Sequence, residues 1–374
     1  MMNTHFGKFV ESPLFKKLFL VGFLLFTAIA AYQTNSAFCV LLGREHLYSS
    51  VYIIFVLVAV LILSQAKKRH PGRVYAKTVG FLSIGYLYYL LLLMVLDLLC
   101  LLIRPGESVK AAGTVMMLVT AVIIVLSGFV HAKRITTKKY SIKLGDSGEE
   151  FRLALVSDIH MGAFVRERHV GKVVKRINSL TPDLVVIAGD LFDVDNELLN
   201  DPEELKEISK RLRKIKSKYG TYAVMGNHDP KVDDKIMLRF LKMAHIKLLD
   251  DASVTFSQIH LIGRTDAGNN ERLPLQEILK NAVPGKLMVV IDHNPAGIDE
   301  AAEHGADLVL CGHTHRGQFF PVNIFTKWAN GKRYFYGHEQ FGKTHAIISS
   351  GVGFFQLPVR IGTSNEVVDI RIQL

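Results

Sequence analysis

The chain has 374 residues, 49% of them apolar, and a formal net charge of +11, which is length enough for two domains with sizeable cores. The charge is unevenly placed: residues 1–140 hold 15 Lys/Arg against 4 Asp/Glu, whereas residues 141–374 hold 30 of each. A neutral second half argues against a basic nucleic-acid-binding face, so no nucleic-acid partner is expected, and Cys39, Cys100 and Cys311 have no zinc-ribbon or disulfide spacing.

Residues 1–140 read as a transmembrane domain with four apolar segments, at about 18–41, 48–65, 78–103 and 111–131. A helix needs about 20 apolar residues to cross roughly 30 Å of hydrocarbon. The third and fourth segments meet this easily, the second adequately, and the first is interrupted by Gln33-Thr34-Asn35-Ser36. Ala28-Ile29-Ala30 after Lys16 and Lys17 resembles a signal-peptide cleavage site, but three further spans follow, so the first segment is expected to be an uncleaved anchor.

Basic residues orient such a bundle. Lys8, Lys16, Lys17, Lys67, Lys68, Arg69, Arg73, Lys77, Lys133, Arg134, Lys138 and Lys139 fall on one side of four spans, against Arg44, Arg104 and Lys110 on the other. The expectation is a multi-pass protein of the cell membrane with the second half in the cytoplasm. Asp97, within the third span, is read as lying near the outer interface and facing the bundle or water. Tyr86, Tyr88 and Tyr89 are read as packing or belt residues.

From residue 141 short apolar runs alternate with amphipathic stretches. Strands are predicted at 151–158, 183–190, 221–227, 254–257, 259–264, 287–293, 306–313, 345–351 and 367–373, and helices at about 168–179, 202–217, 233–243, 274–281 and 296–304. Asp201 before Pro202 is a helix start with its N-cap. The pattern is an α/β layered domain over 141–374, with strands short and Val/Ile/Leu-rich enough to be covered on both faces.

Five of these strands end in residues that bind metals. Asp158 and His160 follow the first, Asp190 and Asp193 the second, and Asn227, His228 and Asp229 the third. His293 ends a fourth, in VVIDHNP, and His313 and His315 a fifth, in VLCGHTH. Ligands bind α/β sheets outside the carboxyl ends of strands. The Asp-x-His and His-x-His spacings have period two, so both side chains would point one way if the backbone stayed extended. Glycine precedes the polar residue in GD, GN and GH, allowing close approach of neighbouring backbone. His169, His245, His260, His304, His338 and His345 lack this setting and read as surface or core residues.

The donors mix oxygen and nitrogen without thiolate, which suits Mn, Fe or Zn in a catalytic role better than structural zinc. Two carboxylates, four histidines and one amide exceed the needs of one ion. Two divalent metal ions about 4 Å apart, sharing a carboxylate, would use them all.

With D-x-H at 158–160, GD-x-x-D at 189–193, GNHD at 226–229, His293 in DHNP and GHTH at 312–315, residues 150–374 resemble the calcineurin-like metallophosphoesterase superfamily. The tail GVGFFQLPVRIGTSNEVVDI resembles the membrane-associated bacterial branch typified by YkuE. The resemblance implies two mixed β-sheets packed face to face with flanking helices. It implies that Asp158, His160 and His315 hold one metal, that Asn227, His293 and His313 hold the other, and that Asp190 bridges them. It also implies in-line hydrolysis of a phosphoester or pyrophosphate. His228 would be catalytic, protonating the leaving oxygen or steadying the phosphoryl group, with Asp193 or Asp229 orienting it. The family branch often has Gly where Arg316 stands here; Arg316 would contact a substrate phosphate or face solvent.

Residues 319–341 are aromatic and basic and include Trp328, the chain's only tryptophan. They read as a hairpin packed on the domain, or as a loop dipping into lipid headgroups. The partners expected are the lipid bilayer and a phosphorylated substrate. A lipid-linked substrate fits an anchored site, and a soluble nucleotide or phosphoprotein is the alternative. The competing functional reading is a membrane sensor or scaffold whose domain binds a ligand without turnover.

Overall fold

A computed structural model describes residues 13–43, 48–65, 73–193, 197–269, 271–280 and 282–374. Lys8, Arg44, Lys67, Lys68 and Arg69 of the charge comparison lie outside the described residues. The chain forms two compact units that divide between Phe129 and Val130.

The first unit is helical: α1 (Pro13–Leu42), α2 (Tyr48–Gln65), α3 (Arg73–Ile103) and α4 (Glu107–Ala132). Among the described residues three stretches, Val21–Leu42, Thr78–Ile103 and Glu107–Ala132, are long and apolar enough to cross a membrane, rather than the four expected. The exception is α2. Its described apolar stretch is only Val51–Val60, and the 18 residues of the whole helix rise about 27 Å against roughly 30 Å of hydrocarbon.

The polar interruption of α1 does not break it, because its side chains bond within the bundle. Gln33 donates to the Asp97 carboxylate at 2.6 Å, and the Thr34 hydroxyl is 2.6 Å from that of Tyr89. Asp97 also lies 3.7 Å from Lys110 Nζ, so the carboxylate faces polar partners, as its cost in hydrocarbon requires. Tyr86, Tyr88 and Tyr89 are buried and pack between helices.

The second unit runs β1 (Ile135–Lys143), β2 (Glu150–Val156), α5 (Glu167–Asn178), β3 (Leu184–Ala188), α6 (Pro202–Leu212), β4 (Thr221–Val224), α7 (Lys235–Ala244), β5 (Ile246–Leu248), β6 (Ala252–Phe256), β7 (Ile259–Gly263), α8 (Leu275–Leu279), β8 (Leu287–Ile291), α9 (Ile298–Glu303), β9 (Leu308–Cys311), α10 (Val322–Asn330), β10 (Gly337–Phe341), β11 (Thr344–Ile348) and β12 (Asn365–Gln373). One sheet has the order β1-β12-β2-β3-β4-β5 and the other β10-β11-β9-β8-β7-β6. Both are mixed. The site-bearing strands β2, β3 and β4 are parallel neighbours, as are β8 and β9.

Alternation along each strand builds three apolar layers. Leu153, Leu155, Val186 and Val224 pack against Leu261, Val289, Ile291 and Leu310 between the sheets. On the outer face of the first sheet, Ala154, Val156, Val185 and Ile187 meet the apolar stripes of α5, α6 and α7. On the outer face of the second, Val290, Val309 and Cys311 meet Leu275, Ile278, Ile298 and Ala301. The stripe of α5, Val170, Val173, Val174 and Ile177, has the i, i+3, i+4, i+7 spacing of a helix with one buried side. Asp201 caps α6 by accepting from the Glu204 N–H at 3.1 Å, and Asp234 caps α7 by accepting from the Met237 N–H at 2.8 Å.

Residues 319–341 differ from the hairpin expected. Their centre is helix α10, because Ile324, Phe325 and Trp328 recur at helical rather than alternating spacing. Only β10, at the end, enters a hairpin, with β11.

Candidate metal centre

The five predicted chain segments do deliver their polar residues to one place. Asp158 and His160 leave the end of β2, Asp190 that of β3, Asn227 that of β4, His293 that of β8, and His313 and His315 that of β9. The two sheets thus contribute from the same edge, each through the loops after parallel strands.

The backbone there is not extended. Asp158, His160, Asp190, His313 and His315 have φ of 52°, 50°, 51°, 73° and 50°. Residues other than glycine rarely adopt this left-handed region, and each such residue costs on the order of 1 kcal/mol or more. The paired residues of D-x-H and H-x-H do reach a common site, but by left-handed turns and not by the zigzag of a strand. Close approach is built in as well. A Cβ on Gly226 would lie 2.2 Å from Asp190 Oδ1, and one on Gly312 would lie 2.5 Å from Asp158 Oδ2.

Seven donors form two adjoining sets. In the first, Asp158, His160, Asp190 and His315 each offer one atom, all within 4.8 Å of one another. His160 Nε2 is 2.9 Å from His315 Nε2 and 3.5 Å from Asp190 Oδ2, and His315 Nε2 is 3.5 Å from Asp158 Oδ1. In the second, Asn227 Oδ1 is 3.1 Å from His293 Nε2 and 3.0 Å from His313 Nδ1, and these two nitrogens are 3.2 Å apart. Asp190 Oδ2 is 3.4 Å from His293 Nε2, so one carboxylate touches both sets.

These spacings fit cations. Bonds of about 2.1 Å to His nitrogen or carboxylate oxygen place neighbouring ligands roughly 3.0 to 3.4 Å apart in octahedral or tetrahedral geometry. His293 is pre-set for the task, because its Nδ1 donates to the Ala188 carbonyl at 2.9 Å and leaves Nε2 as the ligand atom.

Protonation points the same way. Burial pushes His160 down to about 3 and His313 to about 4, and it holds His315 well below the usual imidazole range. Neutral imidazole is the form that binds metal. Burial pushes Asp158 up to about 6. Burial also opposes charge on His293, but Asp190 and then Asp158 outweigh it and raise His293 to about 10. The carboxylates therefore demand positive charge at this point, which a cation supplies in place of a proton.

His228 lies beside the centre. Its backbone N–H donates to Asp190 Oδ1 at 3.0 Å, and its ring centroid is 5.5 Å from that of His160. Burial lowers its pKa. Asp193 Oδ1 is 3.7 Å from His160 Nδ1. Asp229 spends its oxygens on the backbone, accepting from Phe192 at 2.9 Å and Gly226 at 2.8 Å, and so braces the loops that carry Asp190 and Asn227. Arg316 stacks its guanidinium 4.4 Å above the Tyr336 ring.

Three side chains with no part in the sequence-based site prove central to its support. Phe355 packs at ring-centroid distances of 5.1 Å from His228 and 5.8 Å from His160. Gln318 holds the Phe355 loop through the backbone of Phe355 and Leu357. Buried Arg360 donates to the carbonyls of His315, Ser350 and Gly353, each at 2.8 Å, and to Asn365 Oδ1 at 2.7 Å. The tail motif FFQLPVR was the only signal for Phe355 and Arg360. Their partners are apart in sequence and could not be read from it. A cavity of about 470 Å³ opens beside the centre, lined among others by His228, His313, His315, Phe319, Val322 and Phe355.

Two face-to-face mixed sheets, with a seven-donor Asp/His/Asn centre at the strand ends, define a metallophosphoesterase domain. Residues 151–317 match the calcineurin-like phosphoesterase family, and the domain belongs to it. An uncharacterized metallophosphoesterase of Helicobacter pylori strain J99 is 30% identical over 241 residues, 63% of each chain. A Danio rerio relative described as a transmembrane protein with metallophosphoesterase domain is 27% identical over 294 residues, 71% of this chain and 65% of that one. Bacillus subtilis YkuE, an uncharacterized metallophosphoesterase, is 23% identical over 258 residues, 64% of this chain and 86% of that one. The chain spans 63% of the length of the Helicobacter relatives it matches.

Proposed function

We propose that this protein is a membrane-anchored, metal-dependent phosphohydrolase that uses two metals to cleave a phosphoester or pyrophosphate, with a lipid-linked substrate favoured. The observation that carries the reading is the pair of donor sets sharing Asp190, with an imidazole, His228, beside them and open to a cavity.

Asp158, His160, His315 and Asp190 would hold one divalent ion, and Asn227, His293, His313 and Asp190 the other. Bound ions would supply an acidified water and Lewis-acid contacts to phosphoryl oxygens. His228 would protonate the leaving oxygen, and Asp193 would steady the His160 ring as carboxylates beside metal-bound imidazoles do. Arg316, whose guanidinium stacks on Tyr336, would offer its in-plane N–H donors to a substrate phosphate.

The bias of basic residues supports a cytoplasmic domain. Counted on the side of the domain, Lys/Arg near the helix ends number 12 of 15 if all four helices cross and 10 of 15 if α2 does not. Only the side of the N-terminus depends on α2. A C-terminal alkaline phosphatase fusion in bacteria is expected to be inactive; an active one would refute this orientation.

The test of activity uses the full chain in nanodiscs, supplied with Mn²⁺, Fe²⁺ or Zn²⁺ and an aryl phosphomonoester or diester. Turnover is expected, with loss on chelation. Asp190→Asn should abolish it, and His228→Ala should lower it about 10²- to 10⁴-fold. Absence of turnover with every metal would favour the ligand-binding sensor instead.

A further inference from the structure

Helix α10 is amphipathic with its sides exchanged. A surface helix turns its apolar stripe to the core. In α10 no residue is buried, and Ile324, Phe325 and Trp328 are 55%, 58% and 60% exposed. Thr326 and Asn330 instead face inward and, with Val322, line the cavity beside the metal centre. At about 100° per residue, Ile324, Trp328, Phe325, Ala329 and Val322 form one continuous apolar arc of roughly 160°. Phe320, 47% exposed, adds to it just before the helix.

A bilayer is the occupant that matches this face. Lys327 borders the apolar arc and Lys332 follows it, both exposed, as suits anionic headgroups above an acyl layer. The same chain carries helices long and apolar enough to cross a membrane. The apolar surface also continues through Val322 into the cavity, where Phe319, Phe355 and Leu357 extend it toward His228 and His313.

We infer that α10 lies in the boundary between headgroups and acyl chains, and that the cavity behind it takes the apolar part of an amphiphilic phosphate ester. The second half of this statement rests on the hydrolase reading above; the first does not. Thr326 and Asn330 would pass the polar part of the ester inward, and the outer face of the helix would stay in lipid.

Trp328 is the chain's only tryptophan, so its fluorescence reports on α10 without background. The full chain is reconstituted in vesicles of phosphatidylcholine and phosphatidylglycerol, with and without phosphatidylcholine brominated near the top of its acyl chains. Quenching of at least half the emission is expected. Unquenched emission typical of a hydrated indole would overturn the placement. So would cross-linking between cysteines introduced at Phe325 in two copies, which would make a second copy the occupant. Ile324→Ser with Phe325→Ser, both outside the cavity lining, should weaken the quenching. It should also lower kcat/KM for phosphatidic acid in the vesicles at least tenfold, while turnover of a soluble aryl phosphate stays within twofold. Equal losses on both substrates would overturn the proposed route for lipid. Quenching without turnover of any phosphate ester would sink the hydrolase reading and the route while leaving α10 in the membrane. Aryl phosphate turnover with unquenched Trp328 would do the reverse.

Discussion

Gly226→Ala tests the geometry of the metal centre with a single added methyl group. Gly226 lies outside the left-handed region of backbone space, so alanine there carries no conformational strain. Its methyl would nonetheless stand 2.2 Å from Asp190 Oδ1 and 2.6 Å from the Asp190 nitrogen, where ordinary contact begins at 3.4 Å. The shortfall at the carboxylate is about 1.2 Å, and Asp190 cannot yield cheaply. Its Oδ1 accepts from the His228 N–H at 3.0 Å, and its Oδ2 faces both His160 and His293. Misplacement by about 1 Å costs on the order of 10²-fold in rate, and here one displaced group serves both donor sets. Turnover of an aryl phosphate should fall at least about 10²-fold, and bound metal per chain, measured by mass spectrometry of the desalted protein, should fall with it. Gly171→Ala is the matched control. Its methyl meets nothing closer than Arg211 Cδ at 3.9 Å, and in the interior of α5 it should stabilise by up to about 1 kcal/mol with activity intact. If Gly226→Ala keeps its metal and turns over within about threefold of wild type, Asp190 is not the shared ligand.

Chelation should lower the melting temperature as well as activity, since a cation held at about 100 times its Kd contributes about 2.7 kcal/mol to the folded state; an unchanged melt would mean that folded and unfolded chains bind metal alike. Arg360→Met removes four hydrogen bonds, leaves the carbonyls of His315, Ser350 and Gly353 buried without their donor, and should cost about 4 kcal/mol or more in urea unfolding. A loss under about 1 kcal/mol would show that those carbonyls find other donors. Burial raises Glu366 above its ordinary range, opposed by hydrogen bonds from Tyr336 and Ser350. The folded chain therefore binds more protons there, and this contribution to stability is whole below the unfolded pKa and erodes as pH rises through the folded one. Glu366→Gln should gain in melting temperature over wild type between pH 4.5 and 8, and an equal difference at both would refute the assignment.

What could be read from sequence followed periodicity and strand ends. The nine strands predicted all exist, and all but β6, which has no buried residue, lie in segments whose buried apolar runs leave few alternatives. The strand missed first, β1, reads ITTKKYSIK, and only Ile135 and Ile142 are buried in it. It pairs on one side with β12 and is otherwise an edge, where lysines discourage further pairing and mask the strand as a basic tail. β5 is three residues long and α10 exposes its apolar arc, so neither shows the burial pattern on which such readings rest.

The seven ligand candidates were legible for a different reason. Metal-binding chemistry admits few residue types, and β-strands that end at one sheet edge bring those residues together whatever the loops do in detail. That is why the period-two spacing of Asp158 with His160 and of His313 with His315 led to one shared location through the wrong local geometry: all four sit at positive φ. Support for such strained loops has to come from elsewhere in the chain. Here it comes from Arg360 on the His315 carbonyl and from Asp229 on the Phe192 and Gly226 amides. Asp229 stands inside the GNHD motif and could be noticed, although as a partner for His228 rather than for backbone. Arg360 lies 45 residues from the carbonyl it holds, and only the folded sheet, through β11 beside β9, brings the two segments together.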